Sequence, residues 1–211
     1  GSYEPGIIQV ALDENQDGQP DDGQWYEIAG SAHHDPQQET WYETALNAGC
    51  DMAFYNDYEI VYQAPEEEPA TEEEQRTYIC WTDNKGQTGY IRKNVHNTQS
   101  YYPQWISDKE LRFEGSRLPQ NGIDQSGNGT YFVLYPFTYG YADNAMNTND
   151  ESAIDIDWAT DSDGNKVDLP GVDLIKIYTG INQENGWIGE CSTEVSGVED
   201  LHMLGEEIPT R

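Results

Sequence analysis

The apolar residues of this chain come in short runs, and within most runs they alternate with polar ones. Ile8, Val10 and Leu12 interleave with Ile7, Gln9 and Ala11, and the pattern stops in the turn-rich run Asp13–Gly23. A two-residue period is that of a strand, whose successive side chains point to opposite faces. The same arrangement recurs at Trp25–Ile28, Tyr58–Gln63, Thr77–Trp81, Gly89–Lys93, Glu110–Glu114, Tyr131–Phe137, Ala153–Trp158, Asp173–Thr179 and Val198–Met203, most of them flanked by Gly, Pro, Asn or Asp. Twenty Gly and ten Pro supply that punctuation. Such a chain is expected to be all-β, a β-sandwich or jelly-roll-like body with long loops and little helix. Only Gln38–Ala48, with Trp41, Ala45 and Ala48 at helical spacing, reads as a helix. Asp83-Asn84-Lys85-Gly86 and Asp163-Gly164-Asn165 read as hairpin turns.

Hydrophobic residues make up only 36% of the chain, yet 15 Tyr and 6 Trp raise the aromatic share to 12%. A disordered acidic chain lacks such rings, so this one folds around an aromatic core. Forty acidic against ten basic residues leave a net charge of −30. A field of that sign repels phosphate backbones and anionic lipid surfaces, which argues against nucleic-acid binding. No run approaches the roughly 20 consecutive apolar residues of a membrane-crossing helix. The 211 residues suit one ligand-binding domain, 1–211. Within it the segment 64–75 carries six Glu and two Pro in twelve positions and reads as an inserted acidic loop, with an interdomain linker as the competing reading. No leader is visible, since Ile7–Leu12 already reads as a strand, and the chain reads as a mature or trimmed piece. Cys50, Cys80 and Cys191 show no CxxC spacing. At most one disulfide forms among them, the pairing is open, and free buried thiols are equally compatible.

The most specific local pattern is Asp13-Glu14-Asn15-Gln16-Asp17-Gly18-Gln19-Pro20-Asp21-Asp22. Oxygen side chains at the first, third and fifth positions with Gly at the sixth are what a loop needs to wrap calcium. The candidate ligands are Asp13, Asn15, Asp17, Gln19 through its carbonyl, Asp21 and Asp22. Gln24 stands where an EF-hand has its bidentate Glu, and a metal-free turn held by Asx hydrogen bonds is the alternative. Asp161-Ser162-Asp163-Gly164-Asn165 reads as a plain hairpin turn, and Asp155 and Asp157 as neighbours on one strand face.

No nucleophile elbow, P-loop, Rossmann glycine run or HExxH is present, and His33, His34, His96 and His202 fall in no catalytic pattern. The expectation is a protein that is not an enzyme. The candidate ligand-binding residues are aromatic: Tyr101, Tyr102 and Trp105 around Pro103, then Tyr139, Tyr141, Asp143 and Asn144. Rings offer apolar area at low entropic cost while amides and carboxylates orient a guest, which suits sugars and amide-fringed macrocycles alike. The competing reading places these rings in the core, Tyr131, Val133, Tyr135 and Phe137 forming one buried strand face.

Several phrases together resemble a family of cell-surface lipoproteins of Bacteroidetes. They are Glu4-Pro5-Gly6-Ile7-Ile8, Asp21–Ser31, Trp81-Thr82-Asp83-Asn84, Thr98–Pro103, Gly115-Ser116-Arg117-Leu118-Pro119, Gly140–Asn144, Asp155–Ala159, Leu169–Asp173 and Gly189–Glu194, spread over nearly the whole chain. The resemblance implies a β-rich, non-catalytic ligand-binding body on the extracellular face of the outer membrane, tethered only through a lipid anchor that this chain lacks. It further implies that the chain is the C-terminal part of a longer one. Members of that family resemble accessory proteins of outer-membrane vitamin B12 uptake, so the first expected guest is a corrinoid such as cobalamin, delivered to an outer-membrane transporter. The alternatives are a calcium-stabilised glycan-binding or adhesion module and, third, a secreted glycoside hydrolase, whose two carboxylates no motif would reveal.

Overall fold

A computed structural model describes residues 3–67, 69–71, 74, 77–91, 102, 103, 105–184, 186, 189 and 191–206. The fold is all-β. One four-stranded antiparallel sheet is built from β1 (Gly6–Ala11), β2 (Tyr26–Ile28), β9 (Ala159–Thr160) and β10 (Leu174–Thr179), in the order β10-β1-β2-β9. A second comprises β3 (Tyr55–Gln63), β4 (Cys80–Asp83), β5 (Thr88–Tyr90) and β6 (Glu110–Arg117), in the order β5-β4-β3-β6. A separate hairpin joins β7 (Gly122–Asp124) to β8 (Phe132–Leu134). Among the described residues there are three short α-helices: α1 (Ser31–His34), α2 (Tyr42–Asn47) and α3 (Leu201–Leu204).

The first sheet is covered on both faces, which explains why β1 reads Gly-Ile-Ile-Gln-Val-Ala with so little polarity. On one face Ile8 and Val10 pack with Ile28, Ala159, Trp158 and Ile177. On the other, Ile7 joins Trp41, Leu118, Ile123, Phe137 and Tyr141. β1 pairs with β10 in continuous register from Gly6 opposite Thr179 to Ala11 opposite Leu174. The second sheet is two-sided. Tyr58 and Ile60 of β3 are buried, while the opposite face carries the Arg112–Glu59 ion pair and the Gln63 to Glu110 hydrogen bond of 3.1 Å.

Both hairpin turns form as the sequence predicts. Gly86 and Gly164 adopt φ of 80° and 79°, and Asp83 and Asp161 each receive the backbone N–H that closes the turn. The helix expected at Gln38–Ala48 is one and a half turns, Tyr42–Asn47, with Ala45 and the preceding Trp41 buried. Two expected strands are helical instead. In Ala153–Trp158 the Asp155 carboxylate takes the Asp157 N–H at 3.0 Å and its carbonyl takes the Trp158 N–H, winding Ile156–Trp158 into a 3-10 turn. Asp155 and Asp157 therefore do not share a strand face. In Val198–Met203 the Asp200 carboxylate caps the Met203 N–H and Gly205 closes the end at φ 76°, making α3. Residues 92 and 93 of the strand expected at 89–93, and residues 68, 72, 73 and 75 of the acidic loop, lie outside the described residues.

Candidate functional site

The expected aromatic rim is not one surface. Tyr101 lies outside the described residues. Tyr102 is buried, its hydroxyl donating to the Asp108 carbonyl at 2.5 Å, whereas Trp105 is 86% exposed. Tyr139 is half-buried with its ring 4.9 Å from that of Trp158. Tyr141 and Asn144 belong to the core, a correction to their reading as ligand contacts. The Asn144 amide accepts from the Phe137 N–H and donates to the Phe137 carbonyl, both at 2.7 Å, so it clamps the 137–144 loop from inside. The Tyr141 ring is packed against Gly30, where any Cβ would stand 2.4 Å from its Cζ. Asp143, at φ 50°, spends its carboxylate on the Glu194 N–H.

In the Asp13–Asp22 loop the side-chain oxygens accept from backbone. Asp13 takes the Asp17 and Gly18 N–H groups, Asn15 takes that of Asp17, Asp17 takes that of Gln19, and Asp21 takes that of Glu14, all between 2.9 and 3.0 Å. The Gln19 amide donates to the Gly18 carbonyl, and Asp22 sits at φ 53°. Among the described residues no three His, Cys, Asp or Glu side chains converge as a metal-ligand group.

A polar cluster that sequence patterns did not reveal joins the two sheets. Glu27 of β2 is nearly buried and accepts from four donors. These are His33 Nε2 at 2.8 Å, Ser116 Oγ at 2.5 Å, Gln9 Nε2 at 3.2 Å and the Tyr178 hydroxyl at 3.2 Å. His33 Nδ1 accepts the Gly30 N–H and lies 2.9 Å from the Tyr141 hydroxyl, so the ring proton sits on Nε2 and points at Glu27. Burial alone raises the Glu27 pKa and is the largest single influence. The His33 hydrogen bond, with the Ser116 and Gln9 bonds, outweighs it and holds the carboxyl below its ordinary value. Serine, histidine and glutamate meet here in the wrong order for nucleophilic catalysis. Ser116 donates to the carboxylate rather than to the imidazole, and none of the three lines either cavity described next.

The open space lies on the apolar face of the second sheet. Residues directly opposite across antiparallel strands share a face, so the register Ile60–Phe113, Tyr62–Leu111 and Tyr62–Trp81 lays these side chains side by side. The segment after β10 crosses above them. It is pinned by the Ile181 N–H to the Ser116 carbonyl at 2.9 Å, by Asn182 to the Tyr58 hydroxyl at 3.2 Å and by Gln183 to Asn121 at 2.9 Å. On one side of this segment is an apolar groove of about 410 Å³ with Ile60, Tyr62, Leu111, Phe113, Tyr102 and Cys191 in its lining. On the other is a polar hollow of about 430 Å³ lined by Asp51, Tyr55, Trp81, Gln87, Arg117 and Gln120. Asn182 and Glu184 line both and form the wall between them.

Within the groove the Tyr62 and Phe113 rings meet edge to face at 5.9 Å, and Phe113 is 47% exposed. Burial pushes the Tyr62 hydroxyl pKa up, and Tyr58 and Glu184 add to it. Burial, followed by the charges of Glu4 and Asp143, pushes the Cys191 thiol up to about 12, so it stays protonated and unreactive at neutral pH. The groove therefore offers rings, aliphatic side chains and backbone amides rather than an activated nucleophile. No family model matches the sequence, and no curated protein does. The likeness to Bacteroidetes surface lipoproteins thus stands on its phrases alone. Tyr62 and Phe113 were missed, although Leu111 and Phe113 alternate with charged neighbours in a way that marks one apolar face.

Proposed function

We propose that this protein is a non-catalytic ligand-binding protein that holds a flat guest against its second sheet. The observation that carries the reading is the open groove of about 410 Å³ whose floor is Ile60, Tyr62 and a half-exposed Phe113. Apolar concavities with few oriented polar groups are where small molecules bind. A corrinoid is the first candidate: its macrocycle is flat and can lie against the Tyr62 and Phe113 rings. Delivery to an outer-membrane transporter at the cell surface completes the proposal and rests on the family resemblance. Among the described residues no helix is long and apolar enough to cross a membrane.

Titration with cyanocobalamin and with cobinamide, followed by calorimetry, tests this reading. Saturable binding is expected, weakened by about 1–3 kcal/mol in Phe113→Ala with little change in melting temperature, as for a partly exposed anchor. Absence of binding by both corrinoids, or binding indifferent to Phe113→Ala, would overturn it.

A further inference from the structure

We infer that the polar hollow across the Asn182–Glu184 wall is a second binding site, one that takes a neutral pyranose ring. Its central group is Arg117, which is only 9% exposed. The guanidinium lies 5.1 Å from the Tyr58 ring centre and 5.9 Å from that of Tyr55. Nη1 stands 2.9 Å from Asp51 Oδ2 yet outside hydrogen-bond geometry, so the contact is Coulombic and the buried Nη1 donor has no acceptor. A buried guanidinium with one donor, Nη1, outside any hydrogen bond, opening on a hollow of about 430 Å³, is a group prepared for an oxygen-bearing guest.

The rest of the lining selects the guest by elimination. Asp51 and Glu184 place two carboxylates beside one guanidinium, and the chain carries −30 overall, so an anion is repelled. A cation meets the Arg117 guanidinium at the centre of the hollow. An apolar guest would strip water from a guanidinium, two carboxylates and the Gln87 amide without replacing it. A neutral polyhydroxyl ring suits this lining. Its hydroxyls donate to Asp51 and Glu184 and accept from Arg117 and the Gln87 amide, and its apolar face has an indole to rest on. That indole is Trp81, laid flat across β5 because Gly89 opposite it has no side chain; a Cβ there would stand 2.6 Å from Trp81 Cζ2. The inference goes beyond the corrinoid reading and does not depend on it.

The test uses the full chain with the methyl pyranosides of glucose, galactose, mannose and N-acetylglucosamine, and with glucuronate and N-acetylneuraminate as charged arms, read by saturation-transfer NMR and calorimetry. At least one neutral pyranoside is expected to bind saturably. Trp81→Leu and Gln87→Ala should each weaken it at least about 5-fold, and Arg117→Lys more. Phe113→Ala, in the groove, should leave it unchanged. Because Arg117→Lys also disturbs a buried pair, the exposed Gln87→Ala carries the test if that variant unfolds. No binding by any neutral pyranoside, tighter binding by the charged sugars, or affinity indifferent to both Trp81→Leu and Gln87→Ala would overturn the assignment.

Discussion

Replacing Glu27 asks whether a buried carboxylate holds the two sheets together. In Glu27→Gln the side chain keeps its shape but loses its charge, and one of its two oxygens becomes a donor. The oxygen facing His33 and Ser116 can be retained. The amide then faces Gln9 and Tyr178, where the Gln9 carbonyl oxygen, buried without a hydrogen-bond partner, accepts from it once the Gln9 amide turns over. What is lost is the charge on bonds that were charge-assisted, about 1–3 kcal/mol. In Glu27→Ala all four donors are orphaned beside a void, which costs about 3–5 kcal/mol. For a chain of this size each kcal/mol is worth roughly 2–4 °C of melting temperature. The expected falls are therefore ~2–12 °C for Gln and ~6–20 °C for Ala.

The pH dependence has a definite sign. The native Glu27 pKa lies below the ordinary 4.5, so its contribution is complete above that value and is lost as the pH falls through the lower native one. The groups facing it are His33, Tyr178 and, by charge, Lys176. Urea unfolding from pH 7 down to pH 3 should show the wild type and Glu27→Gln converging toward the acid end. Variants within about 0.5 kcal/mol of wild type at pH 7, or a gap that widens on acidification, would refute the reasoning.

Asn144→Ala should lose about 2–4 kcal/mol in urea unfolding, because both Phe137 backbone groups are left unpaired in the core; a loss under about 0.5 kcal/mol would mean that the loop holds without its clamp. Cys191, with its thiol raised to about 12, should be alkylated by iodoacetamide at pH 8 about 100-fold more slowly than in denaturant, and equal rates would place it in water. If the Asp13–Asp22 loop binds calcium, as its oxygen spacing suggests, added calcium should raise the melting temperature over a chelated sample, whereas identical curves would leave the loop to its Asx bonds.

The elements legible in the sequence are those in which local pattern and tertiary demand agree. β1 and β10 carry alternating or continuous apolar residues because burial on the sheet faces requires them, and the Asp83–Gly86 and Asp163–Asn165 turns carry the residues that positive φ requires. Ala153–Trp158 and Val198–Met203 have the same apolar spacing, but an aspartate at position 155 or 200 captures a nearby N–H and wins over the strand period. β7, three residues beginning at Gly122, is too short to show any period. Pairing was not legible either: β1 meets β10 across most of the chain, and no local signal specifies such a partner. The site was half legible. The sequence marks its aromatics as ligand-bearing surface without telling rim from core, since a tyrosine suits both. Burial separates Tyr141 and Asn144, held by internal hydrogen bonds, from Phe113, left half open. Arg117 carried no pattern; only the fold places a lone guanidinium among Tyr55, Tyr58 and Asp51.

A guest binds on the apolar face of the second sheet. Backbone amide NMR during a cyanocobalamin titration tests it directly. Progressive, saturable shifts are expected in β3, β6 and residues 179–184, on the groove side of the Asn182–Glu184 wall. An unchanged spectrum, or shifts confined to the exposed Trp105 region or the Asp13–Asp22 loop, would contradict it.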